Sequence, residues 1–211
     1  MSYGGESQMS RPRRIVVQGP SGSGKTTLAK SLATSLGYPY LELDSVFHQE
    51  SWTPLDVDEF RSVVLTFAGQ SEWVTDGNYR AVRDLLWPRS DLIVFIDLPK
   101  RQVMTRIVRR TIRRAMRHEE LWNGNRESLR NLFSRDPERN IVLWSWNTHA
   151  LYRESVPNEA RDGAPHAEVT VLRGSTAVRD FALSHQTYAR DIVDLDRLDT
   201  KDDDDVERRI E

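Results

Sequence analysis

Apolar residues along the chain fall into two patterns, short runs and stretches with helical spacing. Five short runs predict strands, at 14–18, 40–44, 73–75, 91–97 and 168–172. Helical spacing predicts helices at 25–36, 56–68, 101–117 and 175–183. Because strands and helices alternate, we expect a three-layer α/β/α fold around a mainly five-stranded parallel sheet.

Other stretches lack this alternation. Residues 1–13 are polar and predict a disordered leader, and residues 191–211, with ten acidic and four basic residues, predict a frayed acidic tail. Residues 118–155 are irregular with helical patches, and 156–166 is rich in Pro, Gly and charge, which favours a loop. We therefore expect one domain over 14–190, with an inserted lid at about 106–155.

Composition narrows the function. The 211 residues carry a net charge of −2, which argues against a general nucleic-acid or membrane-surface binder. The sequence has no cysteine, no signal peptide and no long apolar run, so disulfides, thiol catalysis and membrane spans are excluded. We expect a cytoplasmic monomer or dimer.

A glycine-rich motif follows the first predicted strand and opens the first predicted helix. It reads G-x-x-x-x-G-K-T from Gly19 to Thr26, the spacing that cradles phosphates with backbone N–H groups. Lys25 should reach the β- and γ-phosphates of ATP, and the Thr26 hydroxyl should bind Mg²⁺. The chain has four lysines against twenty-six arginines, and one of the four stands at this position. The expected nucleotide contacts are Gly19, Ser21, Gly22, Ser23, Gly24, Lys25, Thr26 and Thr27.

Three aspartates each close a predicted strand. Because carboxyl ends of parallel strands share one edge of a sheet, Asp44, Asp76 and Asp97 should lie at the edge that bears the glycine-rich motif. We expect Asp76 to help hold Mg²⁺ and Asp44 to accept a proton from an acceptor hydroxyl or bind the acceptor. The plainer alternatives are a turn residue for Asp76 and a cap for Asp44; Asp97 is expected to end its strand.

The helix at 101–117 holds seven arginines and no acidic residue. At 100° per residue, one narrow arc contains Arg106, Arg110, Arg113 and Arg117, and the opposite arc contains Met104, Val108, Ile112 and Ala115. We expect the second arc to pack and the first to face phosphate, because a stripe of like charges repels itself without an anion. A solvated face is the alternative. His48 and His118 are expected at the surface, and the tryptophans of 118–146 are expected to pack within the lid.

These motifs resemble the adenylate-kinase-like P-loop kinases, which have the nucleoside-monophosphate-kinase fold. The segment Asp76-Gly77-x-x-Arg80 is similar to the D-G-F-P-R of adenylate kinases, where Asp supports Mg²⁺ and Arg binds the acceptor's phosphate. Residues 106–110 (R-I-V-R-R) resemble the arginine run that leads into the adenylate kinase lid. Residues 171–175 resemble the loop that touches adenine. A Gly-Arg-rich or zinc-binding lid is absent from the sequence.

A subgroup, the topology-modulation-type small kinases, is more similar still. It shares the L-D-x-x-F-H segment at 43–48 with Trp52, the D-G-N-Y turn at 76–79 and the W-N-G-N-R-E run at 122–127. The resemblance implies an ATP- and Mg²⁺-dependent kinase that phosphorylates a small acceptor, with a nucleoside monophosphate as one candidate. It places Arg106, Arg110 and Arg173 at ATP, Arg110 and Arg114 at the transferred phosphoryl, and Asp44, Asn78, Arg80, Arg113 and Arg117 at the acceptor.

Two other functions are compatible with the motifs. One is a P-loop ATPase that acts as a switch. The other is a nucleotide-dependent regulator associated with DNA, which the arginine stripe permits and the net charge disfavours.

Overall fold

The computed structural model describes residues 11–126 and 141–185. In this part of the chain one sheet contains five strands, which are β1 (Arg14–Gln18), β2 (Tyr40–Glu42), β3 (Trp73–Asp76), β4 (Leu92–Asp97) and β5 (Glu168–Arg173). Their order is β2-β3-β1-β4-β5, and every neighbouring pair is parallel. The expected five-stranded parallel sheet is confirmed.

Helices connect the strands. They are α1 (Lys25–Leu36), α2 (Leu43–Phe47), α3 (Val57–Ala68), α4 (Arg83–Leu86), α5 (Lys100–Met116), α6 (Ile141–Gly163) and α7 (174–185). Short 3-10 turns lie at Glu50–Trp52, Arg80–Val82, Trp87–Arg89 and Trp122–Gly124. No helix within the described residues is both long enough and apolar enough to cross a membrane.

Local signals set the ends of two of these helices. Gly37 ends α1 in the left-handed conformation (φ 70°), and its N–H donates to the carbonyl of Ala33. Asp56 caps α3 by accepting from the backbone N–H groups of Asp58 and Glu59.

Alternating strand residues build a core on each face of the sheet. Ile15 and Val17 pack with α1 and α5 on one face, whereas Val16 packs with α3, α4 and α6 on the other. All three side chains are buried, as the apolar runs of a covered parallel sheet require. This arrangement is the expected three-layer α/β/α fold.

Two stretches differ from the sequence prediction. The second strand ends at Glu42, and Asp44 lies in the short helix α2 instead of at a strand end. The predicted loop at 156–166 is wrong, since α6 continues through Pro157 to Gly163. Val156 and Ala160 of α6, and Ala164 just after its end, are buried at every fourth position against the sheet, and this packing outweighs the Pro and Gly signals.

Parts of the predicted leader, lid and tail lie outside the described residues, namely 1–10, 127–140 and 186–211. Residues at the start of the described chain contact the domain. The Arg11 guanidinium lies over the ring of Tyr38, and Arg13 forms an ion pair with Glu72.

The predicted packing face of α5 is wrong. The buried residues are Val103, Ile107 and Thr111, whereas Ile112 is 40% exposed. The buried face is therefore rotated by about a quarter turn from the expected one, and it lies beside the arginine arc instead of opposite to it. Arg110 and Arg114, which flank the buried face, are half-buried.

The buried face of α5 packs directly on the glycine-rich loop. A Cβ added at Gly22 would lie 2.6 Å from Cγ1 of Ile107 and 3.1 Å from the carbonyl oxygen of Val103. Gly22 also has a φ of 77°, in the region that favours glycine. Gly22 therefore serves two purposes, the turn of the loop and the close approach of α5.

We predict that Gly22→Ala destabilises the protein more than Gly37→Ala does. Both substitutions put a side chain in the left-handed region, which costs roughly 1–2 kcal/mol, but a Cβ at Gly37 would meet open space. Overpacking against Ile107 should add about 1–3 kcal/mol at Gly22. Urea unfolding measures both losses. In a double-mutant cycle, Ile107→Ala should lower the free energy of unfolding less in the Gly22→Ala protein than in the wild type. Equal losses of stability for Gly22→Ala and Gly37→Ala would contradict the contact between Gly22 and Ile107.

Candidate functional site

The glycine-rich loop connects β1 to the N-terminus of α1. Gly24 precedes α1 with a φ of 96°, and within the described chain no side chain caps the helix and no acidic residue lies in its first turn. The first backbone N–H groups of a helix have no intrahelical partner and carry the positive end of its dipole. This end of α1 therefore suits an anion such as a phosphate.

A buried carboxylate lies beside the start of α1. Asp76, at the end of β3, is 1% exposed. Its Oδ2 accepts a 2.7 Å hydrogen bond from the hydroxyl of Thr26, and its Oδ1 accepts one of 2.5 Å from the hydroxyl of Tyr40. Burial raises the pKa of Asp76, while the charge of Lys25 and the two hydrogen bonds oppose that rise.

The turn after Asp76 holds the glycine-rich loop in place. The Asn78 amide donates to the carbonyl of Gly19 at 2.6 Å and accepts from the N–H of Gly19 at 3.2 Å. Gly77 makes this turn possible, since a Cβ there would lie 2.9 Å from Cβ of Leu43 and its φ is 144°. Asn78 was expected to bind the acceptor, and in this structure both ends of its amide contact the loop.

The next residue of the turn reaches a second carboxylate. The Tyr79 hydroxyl donates to Oδ1 of Asp44 at 2.7 Å and lies 3.3 Å from Nε2 of His48. Burial and the charges of Asp44 and Asp76 raise the pKa of Tyr79. The turn after β3 therefore connects Asp76, which accepts from Thr26, with the Tyr79 hydroxyl, which donates to Asp44.

His48 is not the surface histidine that the sequence suggested. Burial lowers its pKa, although the charge of Asp44 opposes that shift, so the ring is neutral at pH 7. His48 packs edge-on against Phe47, with the ring centroids 5.3 Å apart. His118 lies at the surface, as predicted.

A turn beyond α5 docks on the loop that follows His48. Asn125, 3% exposed, donates to the carbonyls of Gln49 and Trp122 and accepts from the N–H of Trp52. Asn123 donates to the carbonyls of Ser45 and His48. The W-N-G-N motif therefore holds the loop at 45–52, which follows Asp44, in place.

Arg106 connects α5 to the glycine-rich loop. Its guanidinium donates to the carbonyl of Ser23 at 3.2 Å and to the hydroxyl of Ser175 at 3.0 Å. Gln102, one turn earlier, donates to the same hydroxyl at 2.7 Å. The expected nucleotide arginine and the expected adenine loop thus meet at the P-loop.

The other predicted arginines occupy different settings. Arg113 and Arg117 are exposed on the same arc of α5 as Arg106, and Arg80 is exposed at the end of the turn. Arg173 lies 3.9 Å from Oδ2 of Asp97, an oxygen that also accepts a 3.0 Å hydrogen bond from Arg153. Asp97 therefore pairs with arginines at the end of its strand, which agrees with the structural role expected for it.

Sequence reasoning missed three contributors to the site. Tyr40 begins β2, and only the parallel register with β3 brings its hydroxyl to Asp76. The sequence placed Ser175 in the predicted adenine loop but did not predict its hydrogen bond with Arg106. One sequence feature pointed to Asn125, namely its place in the W-N-G-N motif at 122–125.

Thr26 and Asp76 offer hard oxygen atoms that fit Mg²⁺. Within residues 11–126 and 141–185 no three His, Asp or Glu side chains converge to hold a metal on their own. Mg²⁺ in nucleotide sites keeps several waters and needs only one or two protein groups besides phosphate. The hydroxyl-carboxylate pair at the start of α1 is such a donor set.

Comparison with known proteins gives partial matches in sequence. Residues 15–97 match the model of the ATPase family associated with various cellular activities (AAA), which is less than half of the chain. A cytidylate kinase of Haloarcula marismortui is 33% identical over 84 residues, 38% of this chain and 40% of the relative. A cytidylate kinase of Exiguobacterium is 38% identical over 48 residues, 23% of this chain and 21% of the relative. The chain thus spans two fifths or less of these curated relatives.

Among solved structures, shikimate kinase from Acinetobacter baumannii superimposes with a TM-score of 0.51 at 21% identity, covering 82% of this chain and 89% of that one. At this identity the likeness concerns the fold. The fold is the three-layer α/β/α fold of P-loop proteins, with the P-loop motif at Gly19–Thr26 beside a parallel sheet.

We predict that Tyr40→Phe moves the acid limb of Mg·ATP binding to higher pH. The hydrogen bond from Tyr40 favours the ionised form of Asp76, so its loss raises the pKa of Asp76 further, and an Asp76 that helps to hold Mg²⁺ would do so only when ionised. One hydrogen bond corresponds to about one pH unit. Titration calorimetry of Mg·ATP from pH 5 to 8 measures the limb. Tyr38→Phe, in a buried tyrosine away from Asp76, is the control, and an unshifted limb in Tyr40→Phe would contradict the role of this contact.

Proposed function

We propose that the protein is a phosphotransferase that moves the γ-phosphoryl group of Mg·ATP to a small acceptor. The observation that carries this proposal is the juxtaposition of two carboxylate systems across one turn. Asp76 with Thr26 lies at the P-loop, and Asp44 with Tyr79 lies beside it. A site that only hydrolysed ATP would need no second hydrogen-bonded carboxylate beside the first.

In this proposal one group of residues binds the nucleotide and its metal, and another binds the acceptor. Backbone N–H groups of the P-loop and the Lys25 ammonium would hold the β- and γ-phosphates. Thr26 donates its hydroxyl proton to Asp76, which leaves the hydroxyl oxygen free to bind a metal. When bound, Mg²⁺ would neutralise charge on the phosphates. Asp44 would orient the acceptor and take its proton.

The arginines of α5 would supply positive charge as the phosphoryl group transfers. Arg106 already contacts the P-loop backbone, and Arg110, Arg113 and Arg117 continue along the same arc. A well-placed cation of this kind raises phosphoryl-transfer rates by roughly 10³–10⁵-fold. The acceptor class that the cytidylate kinase relatives suggest is a nucleoside monophosphate.

The experiment that tests the proposal is an ADP-release assay with Mg·ATP and a panel of nucleoside monophosphates, nucleosides, sugars and hydroxy acids, with product identification by mass spectrometry. The proposal expects ADP release that depends on one acceptor class and a phosphorylated product. ATP turnover that no acceptor accelerates would favour the ATPase switch instead.

We predict that Lys25→Ala abolishes phosphoryl transfer while the protein still folds. The side chain would serve the phosphates, and within the described residues it makes no hydrogen bond or ion pair; its charge acts on buried Asp76, whose hydrogen bonds from Thr26 and Tyr40 remain in the variant. Lys30→Ala is the matched control in the same helix, where the exposed ammonium pairs with Glu42 at 2.9 Å. Transfer rate and thermal unfolding check the result, and near-normal turnover in Lys25→Ala would refute the P-loop assignment.

Arg110→Ala should lower kcat more than it raises KM for ATP. This pattern is expected of a contact that strengthens in the transition state. Arg109→Ala, an exposed neighbour on α5 outside the arginine arc, is the control and should leave both constants near wild type. An unchanged kcat in Arg110→Ala would make the arc a solvated face.

A further inference from the structure

Three aromatic side chains line the acceptor side of the site, and we call His48, Trp52 and Trp122 the aromatic cluster. We propose that the aromatic cluster binds the apolar face of a hydroxylated ring, and that this ring presents a hydroxyl group, not a phosphate, to Asp44. The proposal rests on the proposed function and names the acceptor class of the same site.

The aromatic cluster is assembled from two segments that are far apart in sequence. The rings of His48 and Trp122 are near parallel, at 22°, with centroids 6.2 Å apart. Trp52 meets both edge-on, at 5.4 Å from His48 and 6.5 Å from Trp122. The buried amide of Asn125 fixes the two segments together through the backbone of Trp52 and Gln49.

Packing alone explains this arrangement poorly. Trp52 has a φ of 59° and Asn123 a φ of 54°, conformations that cost of order 1–3 kcal/mol each and that concentrate at ligand sites. Trp52 nevertheless remains 37% exposed. The fold therefore holds an indole at the surface at an energetic cost, beside the contact between His48 and Tyr79.

The charge around Asp44 favours a hydroxyl. Asp44 accepts a 2.7 Å hydrogen bond from Tyr79, and Asp76 lies three residues before Tyr79 at the start of the same turn. His48 is neutral at pH 7 because burial lowers its pKa. An attacking phosphate oxygen would meet like charge there, whereas a hydroxyl donates a hydrogen bond to a carboxylate.

Two arginines, Arg80 and Arg83, follow the turn at 76–79 in the sequence. Arg83 is buried over the ring of Trp87 and is paired with Glu159 of α6. Arg80 is exposed. The charge of Arg83 is therefore already paired, and neither guanidinium contacts the Asp44 carboxylate.

The reaction that follows is an alcohol phosphorylation. The ring hydroxyl oxygen forms a bond to the γ-phosphorus of ATP, and the bond between that phosphorus and the β,γ-bridging oxygen breaks. The electron pair of the broken bond leaves with ADP. The hydroxyl proton passes to Asp44, whose Oδ1 already accepts from Tyr79.

Binding and kinetics of the full chain test the proposal. Titration calorimetry would use monosaccharides, cyclitols, nucleosides, CMP and AMP as probes, with and without a non-hydrolysable ATP analogue and Mg²⁺. We expect a neutral hydroxylated ring to bind, and Trp52→Ala and Trp122→Ala each to raise its Kd and KM about tenfold with KM for ATP unchanged. Trp122→Phe, which keeps a ring, should recover most of the loss.

Trp146→Ala is the matched control, because this indole is 51% exposed on α6 and lies under the Lys100 ammonium, 3.7 Å from the ring centroid. It should leave every constant unchanged. Circular dichroism of each variant checks folding, and Trp122→Phe tests the ring contact if Trp122→Ala does not fold.

The outcomes separate the two proposals. A ring that binds through Trp52 and Trp122 but is not phosphorylated supports the aromatic subsite and overturns the kinase. Transfer to CMP or AMP supports the kinase and overturns the hydroxyl acceptor. Transfer to a hydroxyl compound whose KM neither tryptophan variant changes overturns the aromatic subsite, as does a complete absence of ring binding at millimolar concentration.

Discussion

Two hydrogen-bonded links tie the turn after β3 to the phosphate-binding loop, and the geometry of the site depends on them. Asp76 accepts from Thr26, and Asn78 both donates to and accepts from Gly19. The links are possible because β1 and β3 are neighbours in the sheet, with Val17 opposite Asp76. The same turn carries Tyr79 to Asp44. Four consecutive residues therefore fix the position of the P-loop and of the Asp44 carboxylate at once.

A carboxylate as buried as Asp76 is stable only with compensation. Burial alone disfavours the charged form, and the hydroxyls of Thr26 and Tyr40 together with the Lys25 charge offset that penalty. These groups come from two places, since Lys25 and Thr26 belong to the first turn of α1 and Tyr40 begins β2. The environment of Asp76 therefore depends on residues from α1, β2 and β3 together, and no single sequence motif contains all of them.

The sequence predicted what is decided locally. The apolar runs of β1 and β4 and the glycine spacing of the P-loop are local signals, and they gave the sheet and the nucleotide end of the site. The packing face of α5 was not predictable in this way, because its apolar residues are few among arginines and the deciding contact joins Ile107 to Gly22, 85 positions away. The burial of His48 likewise depends on tertiary neighbours, Tyr79 from the turn and Trp122 from beyond α5. The loop predicted around Pro157 was wrong because a helix that packs against a sheet tolerates the one hydrogen bond that proline removes.

Helix α5 connects the P-loop with the turn at Trp122–Gly124. Its first turns hold Arg106 at the P-loop and pack Ile107 on Gly22. Soon after its last turn, the chain reaches the turn at Trp122 that docks on the acceptor loop. Seventeen residues of helix span about 25 Å and behave as a rigid unit. The same stretch of chain therefore contacts the P-loop through Arg106 and Ile107 and the loop after Asp44 through Asn123 and Asn125.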